Sequence, residues 1–85
     1  MSQIEKLKER FAAEPPPKDF TWPELARLMK EFGYAEKPGG GSRRKFVNPE
    51  TKRVVSLHEP HPRPILKTYQ IRDVLSHLRE AGADL

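Results

Sequence analysis

Cysteine is absent from this 85-residue sequence. Without thiols the chain can form no disulfide, no thiolate-ligated zinc site and no cysteine nucleophile, a composition that suits a reducing compartment. Long apolar runs are absent too, so the sequence predicts no membrane-spanning segment. Residues 1–10 carry too much charge for a signal peptide. We therefore expect a cytoplasmic protein.

Apolar residues are also scarce, because they make up 35% of the chain while charged residues make up 33%. A chain of this length forms one domain with a modest core. Little apolar surface remains for a deep small-molecule pocket, and we expect no cofactor. We therefore expect a functional site on the surface of the protein.

The positive charge is concentrated in the middle of the chain. Residues 37–72 contain nine Lys and Arg against two acids, a net charge of +7, whereas the remainder carries −3. A basic segment in an acidic frame is typical of a polyanion-binding surface. The alternative is an ordinary solvated face without a ligand.

The N-terminal residues predict a short helix separate from the main domain. Ser2 and Glu5 have the spacing of a capping box, and apolar residues recur at helical intervals up to Phe11. We expect a helix over about 3–12, followed by an extended linker at Pro15–Pro17. This divides the chain into an N-terminal helix and linker, 1–17, and a domain, 18–85. The helix is expected to pack on the domain, on a second copy or on a partner.

The domain itself predicts the order α-β-β-β-α. Thr21 and Glu24 have the spacing of a second capping box, and an apolar stripe follows at helical intervals. We expect this helix to end at Gly33. Short strands are expected over 34–37, 43–48 and 53–57, with a turn at 49–52 between the last two. A final helix, capped by Thr68, is expected to end at Gly82. The fold class is therefore α+β, a three-stranded antiparallel sheet with two helices on one face, plus the N-terminal helical extension.

Alternation along the strands predicts which side chains share a face. If Phe46 points into the core, Arg44 shares its side. One open surface then collects the opposite set, which consists of Lys37, Arg43, Lys45, Ser56 and His58. The remaining histidine, His77, is expected on the surface of the last helix, and Trp22 is expected to cover the core.

The segment Gly39–Lys45 combines three glycines with Ser42 and three cations. Glycine lets the backbone approach a phosphate closely, and the cations add charge-assisted contacts. No GK[ST] motif follows, so the segment is not a nucleotide P-loop. The alternative is a flexible connection between strands.

Two histidines, His58 and His61, lie close to this basic segment in the sequence. An imidazole can move the proton of an RNA 2′-hydroxyl near pH 7, and neighbouring cations can stabilise the phosphate that it attacks. The alternative is that both histidines make local hydrogen bonds in a loop. A metal site from His58, Glu59 and His61 is disfavoured because the intervening prolines hold the backbone extended.

The order of these motifs resembles the HicA toxins of bacterial toxin–antitoxin modules. The resemblance covers about residues 20–82 and includes Phe32-Gly33-Tyr34, Gly41-Ser42-Arg43-Arg44-Lys45-Phe46, Val54-Val55, His61-Pro62 and Ile71-Arg72-Asp73-Val74-Leu75. It implies a double-stranded-RNA-binding-like fold, cleavage of messenger RNA independent of the ribosome, and a HicB antitoxin partner that blocks the site.

One position departs from the family pattern. The family motif usually reads Gly-Ser-His with a catalytic histidine, and Arg43 stands here at that position. Arginine cannot accept a proton at neutral pH. Either His58 or His61 then carries the proton, or the protein binds RNA without cutting it. Strand alternation favours His58, because it places this residue on the same face as Arg43. The resemblance favours His61, because His61-Pro62 matches the family's His-Pro loop.

The sequence thus predicts an mRNA-binding toxin that cleaves without a metal ion. The expected RNA contacts are Lys37, Gly41, Ser42, Arg43, Arg44, Lys45 and Lys67. A catalytically silent RNA-binding module and a DNA- or protein-binding domain are the alternatives.

Overall fold

The computed structural model describes residues 2–85, with three helices and one three-stranded antiparallel sheet. The elements are α1 (Gln3–Phe11), α2 (Trp22–Glu31), β1 (Ala35–Pro38), β2 (Arg43–Val47), β3 (Val54–His58) and α3 (Thr68–Glu80). This confirms the predicted α+β class and the order α-β-β-β-α after the N-terminal helix. The predicted strand boundaries differ by one residue at five of the six ends. None of the helices in residues 2–85 is long and apolar enough to cross a membrane.

Helix α1 packs on the domain and contributes to the same hydrophobic core. Leu7 and Phe11 are buried, and the Phe11 ring lies 5.1 Å from that of Phe20. Arg10 of α1 donates to Glu24 at the start of α2 over 2.6 Å and to Asp19 over 3.1 Å. Of the three placements that the sequence allowed for this helix, packing on its own domain is the one observed.

The start of α2 is held by the predicted capping box. The Glu24 amide donates to the Thr21 hydroxyl, and the Glu24 carboxylate accepts from the Thr21 amide. Burial alone would raise the pKa of Glu24, but the hydrogen bonds from Thr21 and Arg10 lower it below its ordinary value. The carboxylate therefore stays ionised and joins the cap of α2 to α1.

The sheet is covered on one face by α2 and α3, with the buried Phe46 of β2 beneath them. The Trp22 ring lies 5.5 Å from that of Phe46 at a tilt of 34°, and its indole N–H donates to Glu36 of β1 over 3.1 Å. Trp22 thus covers the core, as predicted. Its only polar atom finds a partner on the sheet, which satisfies the buried donor.

The connection from β3 to α3 is tied at two points. The Pro64 carbonyl accepts from the Trp22 amide, and the Leu66 amide donates to the Phe20 carbonyl. The helix start differs from the prediction, because Thr68 is its first residue and Lys67 is the N-cap. The buried side chain of Gln70 takes the capping role instead. Its oxygen accepts from the Lys67 amide, and its nitrogen donates to the His58 carbonyl over 2.9 Å.

The prediction that His77 is a surface residue of α3 is wrong. Its imidazole is half-buried and lies 3.1 Å from the Tyr34 hydroxyl. Burial lowers the pKa of His77, and the nearby Arg53 lowers it further. The lowered pKa favours the neutral ring, so His77 belongs to the packing of α3 against Tyr34, the residue before β1, and is not among the residues of the predicted RNA surface.

Replacing Phe11 by alanine should destabilise the protein by about 3–5 kcal/mol, because a fully buried ring is removed from the core. Chemical denaturation measures the free energy of unfolding, with Lys6→Ala on the exposed side of α1 as the control. A loss below about 0.5 kcal/mol for Phe11→Ala, the usual size for a surface change, would mean that α1 is not part of the core.

Candidate nucleic-acid interface

The sheet leaves its second face uncovered by any helix in residues 2–85. Strand register defines this face row by row. Lys37 pairs with Lys45, which pairs with Ser56, and Arg43 pairs with His58. At the other end, Ala35 pairs with Val47 and Val47 with Val54. We call the eight residues the open face.

The open face has two halves of different chemistry. Its basic half consists of Lys37, Arg43, Lys45, Ser56 and His58, all of them exposed. Its apolar half consists of Ala35, Val47 and Val54, and Val54 is 48% exposed. The basic residues therefore lie on one face, as strand alternation predicts. The structure adds that they occupy adjacent positions on three strands.

Arg44 lies on the opposite side of the sheet from Arg43 and Lys45. Its guanidinium is 3.3 Å from Glu59 and 3.7 Å from Glu36, both on the side covered by the helices. The sequence interpretation grouped Arg44 with the expected RNA contacts. The structure does not bring it to the open face, because Phe46 is buried and residues two apart share a side.

The glycine-rich segment forms the turn between β1 and β2. The Gly39 amide donates to the Arg43 carbonyl, and the Arg43 amide donates to the Gly40 carbonyl. Gly41 has a φ of 57°, and a Cβ there would meet no atom within 4 Å. Backbone conformation, not crowding, is therefore what favours glycine at this position. The turn closes on itself and presents Gly41 and Ser42 beside the basic half of the open face.

His58 and Ser42 are in contact where β2 and β3 meet the turn. The Ser42 hydroxyl lies 3.3 Å from Nδ1 of His58. The Glu59 amide donates to the Ser42 carbonyl over 2.8 Å and fixes the backbone beneath this pair. Whichever group donates, the contact occupies Nδ1 and leaves Nε2 available to a ligand. The imidazole therefore stands next to Arg43, with one ring nitrogen oriented by the protein.

The other predicted site residues are more dispersed. His61 is exposed in the loop after β3, beyond the register of the open face, and Lys67 is the exposed N-cap of α3. Sequence reasoning missed Gln70, whose amide ties α3 to the carbonyl of His58. No pattern in the sequence indicates that the side chain of Gln70 is buried in the first turn of α3. Residues 2–85 hold no group of three or more His, Asp and Glu side chains arranged for a metal ion.

Comparison with known proteins identifies a family. The model of the HicA toxin of bacterial toxin–antitoxin systems matches residues 22–83, which run from the start of α2 to just beyond the end of α3. No curated protein and no solved structure matches the chain significantly. The family match covers the whole sheet, the open face and both helices that pack on the sheet. On this evidence the chain belongs to the HicA toxin family.

Proposed function

We propose that the open face binds messenger RNA and that His58 carries the proton in its cleavage. The observation that supports this most directly is the pairing of Arg43 with His58 on an exposed, basic sheet face. Phosphate groups are attracted by Lys37, Arg43 and Lys45. An imidazole within the same cluster reaches the ribose attached to a bound phosphate.

The reaction needs three contributions from the protein. His58 accepts the proton of the 2′-hydroxyl as its oxygen attacks the adjacent phosphorus, and the imidazolium so formed returns this proton to the departing 5′-oxygen of the next nucleotide. Arg43 and Lys45 stabilise the charge that develops on the phosphoryl oxygens. Because the nucleophile belongs to the RNA and an imidazole moves the proton, the chemistry requires no metal ion. Cleavage leaves a 2′,3′-cyclic phosphate.

Ser42 is proposed to position His58 rather than to contact the RNA base. Its hydroxyl holds Nδ1, so the ring presents Nε2 to the ribose. Arg43 stands where the family usually has its histidine, and the structure places His58 directly opposite on the next strand. The proton carrier is then supplied by β3 in place of β2, while the phosphate-binding charge remains on β2.

The family also implies an antitoxin partner. We propose that a HicB-like antitoxin covers both halves of the open face and so excludes RNA. An acidic surface complements the basic half, and an apolar anchor suits Ala35, Val47 and the exposed Val54. The apolar half offers no charge to a phosphate chain. A substitution there should therefore weaken antitoxin binding without weakening RNA binding.

The double change Arg43→Ala/Lys45→Ala should weaken RNA binding and flatten its salt dependence. Loss of two phosphate contacts reduces the slope of log K against log salt by about 1.4 for a single strand. Fluorescence anisotropy across a salt series measures this slope. The matched control is Arg44→Ala on the same strand, which should leave the slope unchanged, with circular dichroism to verify folding. Equal effects of both variants would place the RNA elsewhere.

Replacing His58 by alanine should reduce RNA cleavage by about 10²- to 10⁴-fold while binding is retained. Ser42→Ala should lower the rate by less, because it loosens the imidazole without removing it. Purified protein is incubated with RNA in excess chelator, and His61→Ala is the control. A 2′-deoxy nucleotide at the cleavage site should stop the reaction without preventing binding. Full activity of His58→Ala would refute this mechanism, and activity lost only in His61→Ala would transfer the role to the loop.

An aspartate at Val54 should weaken the antitoxin complex by about 2 kcal/mol or more, because it introduces a negative charge into an apolar contact facing an acidic partner. Co-expression with a HicB-like antitoxin, followed by copurification and titration, measures the effect. Ser76→Asp on the exposed side of α3 is the control. A complex of unchanged affinity, or one in which Val54 and Lys45 remain accessible to solvent, would contradict the proposed inhibition.

A further inference from the structure

Aromatic side chains are buried throughout this protein with one clear exception. The four phenylalanines, Trp22 and Tyr34 are buried or half-buried, whereas Tyr69 is 61% exposed. Tyr69 lies in the first turn of α3, among residues whose apolar members otherwise face the core. An exposed tyrosine on a rigid helix is a ready stacking surface for a flat ring.

The surroundings of Tyr69 are basic. Residues 60–72 contain three cations, Arg63, Lys67 and Arg72, and no acid. Arg72 stands three residues after Tyr69, so the two share one exposed side of α3. Asp73 follows on the same side as the nearest acidic residue of the helix. The exposed ring is thus accompanied by charges that attract a phosphate chain.

The first turn of α3 is anchored beside the proposed cleavage residue. The Gln70 amide donates to the His58 carbonyl over 2.9 Å, and Gln70 is the neighbour of Tyr69 in the chain. Because Gln70 is buried and makes a second hydrogen bond to the Lys67 amide, this turn cannot move freely relative to β3. The turn that carries Tyr69 is therefore held against the backbone of His58, whose side chain belongs to the basic half of the open face.

We propose that Tyr69 is the base-stacking residue of the RNA site and restricts it to single-stranded RNA. This proposal rests on the function proposed above. The RNA strand then runs from the basic half of the open face around the end of β3 to α3. One phosphate lies at Arg43 and His58, and the base of a neighbouring nucleotide stacks on Tyr69 while Lys67 and Arg72 contact the backbone. Bases paired in a duplex have no free face for the ring.

The decisive measurement is binding of a short unstructured RNA to Tyr69→Ala and Tyr69→Phe. Stacking of one base predicts an affinity loss of about 5- to 150-fold for Tyr69→Ala and near-native affinity for Tyr69→Phe, which keeps the ring. The matched control is Ser76→Ala, about two turns further along the exposed side of α3. Because Tyr69 is largely exposed, its replacement should leave the thermal unfolding midpoint almost unchanged.

A set of RNAs with one abasic nucleotide separates stacking from a general loss of affinity. For the native protein, removal of the stacked base should weaken binding by a factor similar to that of Tyr69→Ala. For Tyr69→Ala, removal of the same base should have no further effect. If the affinity losses from Tyr69→Ala and from the missing base add at every abasic position, Tyr69 touches no base. If Tyr69→Ala weakens the binding of duplex RNA equally, the restriction to single strands is refuted.

Failure of this proposal can be distinguished from failure of the proposed function. If Tyr69→Ala binds RNA like the native protein while Arg43→Ala/Lys45→Ala does not, stacking is wrong and RNA binding by the open face stands. If the native protein binds no RNA, both the stacking role of Tyr69 and the proposed function are refuted. If Tyr69→Ala weakens only the antitoxin complex, the exposed ring belongs to the protein interface and the stacking role is refuted.

Discussion

The burial of Phe46 beneath Trp22 is the contact on which the arrangement of the surface depends. In a strand, neighbouring side chains point to opposite faces, so one buried ring determines the side of every other residue in β2. Arg43 and Lys45 face solvent because Phe46 does not. A slip of one residue would bring Arg44 to the open face and put two cations beneath the helices, so burial of the ring also protects the register.

Charge is distributed unequally across the sheet as a result. On the side covered by helices, Arg44 lies between Glu36 and Glu59, so its charge has acidic partners within the protein. On the open side, Lys37, Arg43 and Lys45 lie beside one another, and the hydrogen bonds and ion pairs found within residues 2–85 give none of them an acidic partner. Like charges at adjoining positions of a sheet repel, which disfavours the free protein. A polyanion or an acidic protein relieves that repulsion, which is a physical reason for this face to bind either.

The N-terminal helix extends the family fold without reaching the open face. The family match begins at Trp22, yet Phe11 is as deeply buried as any residue of the matched part. A small domain buries a limited fraction of its surface, so an additional helix on α2 raises the apolar area removed from water. The link through Arg10 and Glu24 then connects this added layer to the capping box that starts α2. The added layer that contributes to stability and the face proposed to bind ligands thus lie on opposite sides of the sheet.

Much of this protein followed from the sequence, because its patterns are local. The Thr21–Glu24 capping box, the Ser2 N-cap (where the Glu5 side chain does not complete the predicted box), the apolar stripes, the turn at 49–52 and the glycines after α2 and α3 each act within a few residues, so the elements and their order were predicted. Alternation within each strand also placed Arg43, Lys45 and His58 on one face. Only the tertiary structure decided what depends on distant partners. The hydrogen bonds of the buried Gln70 placed the start of α3 at Thr68, the Tyr34 hydroxyl bonded His77 on the inner side of α3, and Glu36 and Glu59 became the acidic partners of Arg44 on the covered side of the sheet. Those outcomes needed contacts between residues from about 8 to more than 40 positions apart, and no local pattern encodes which of them will meet.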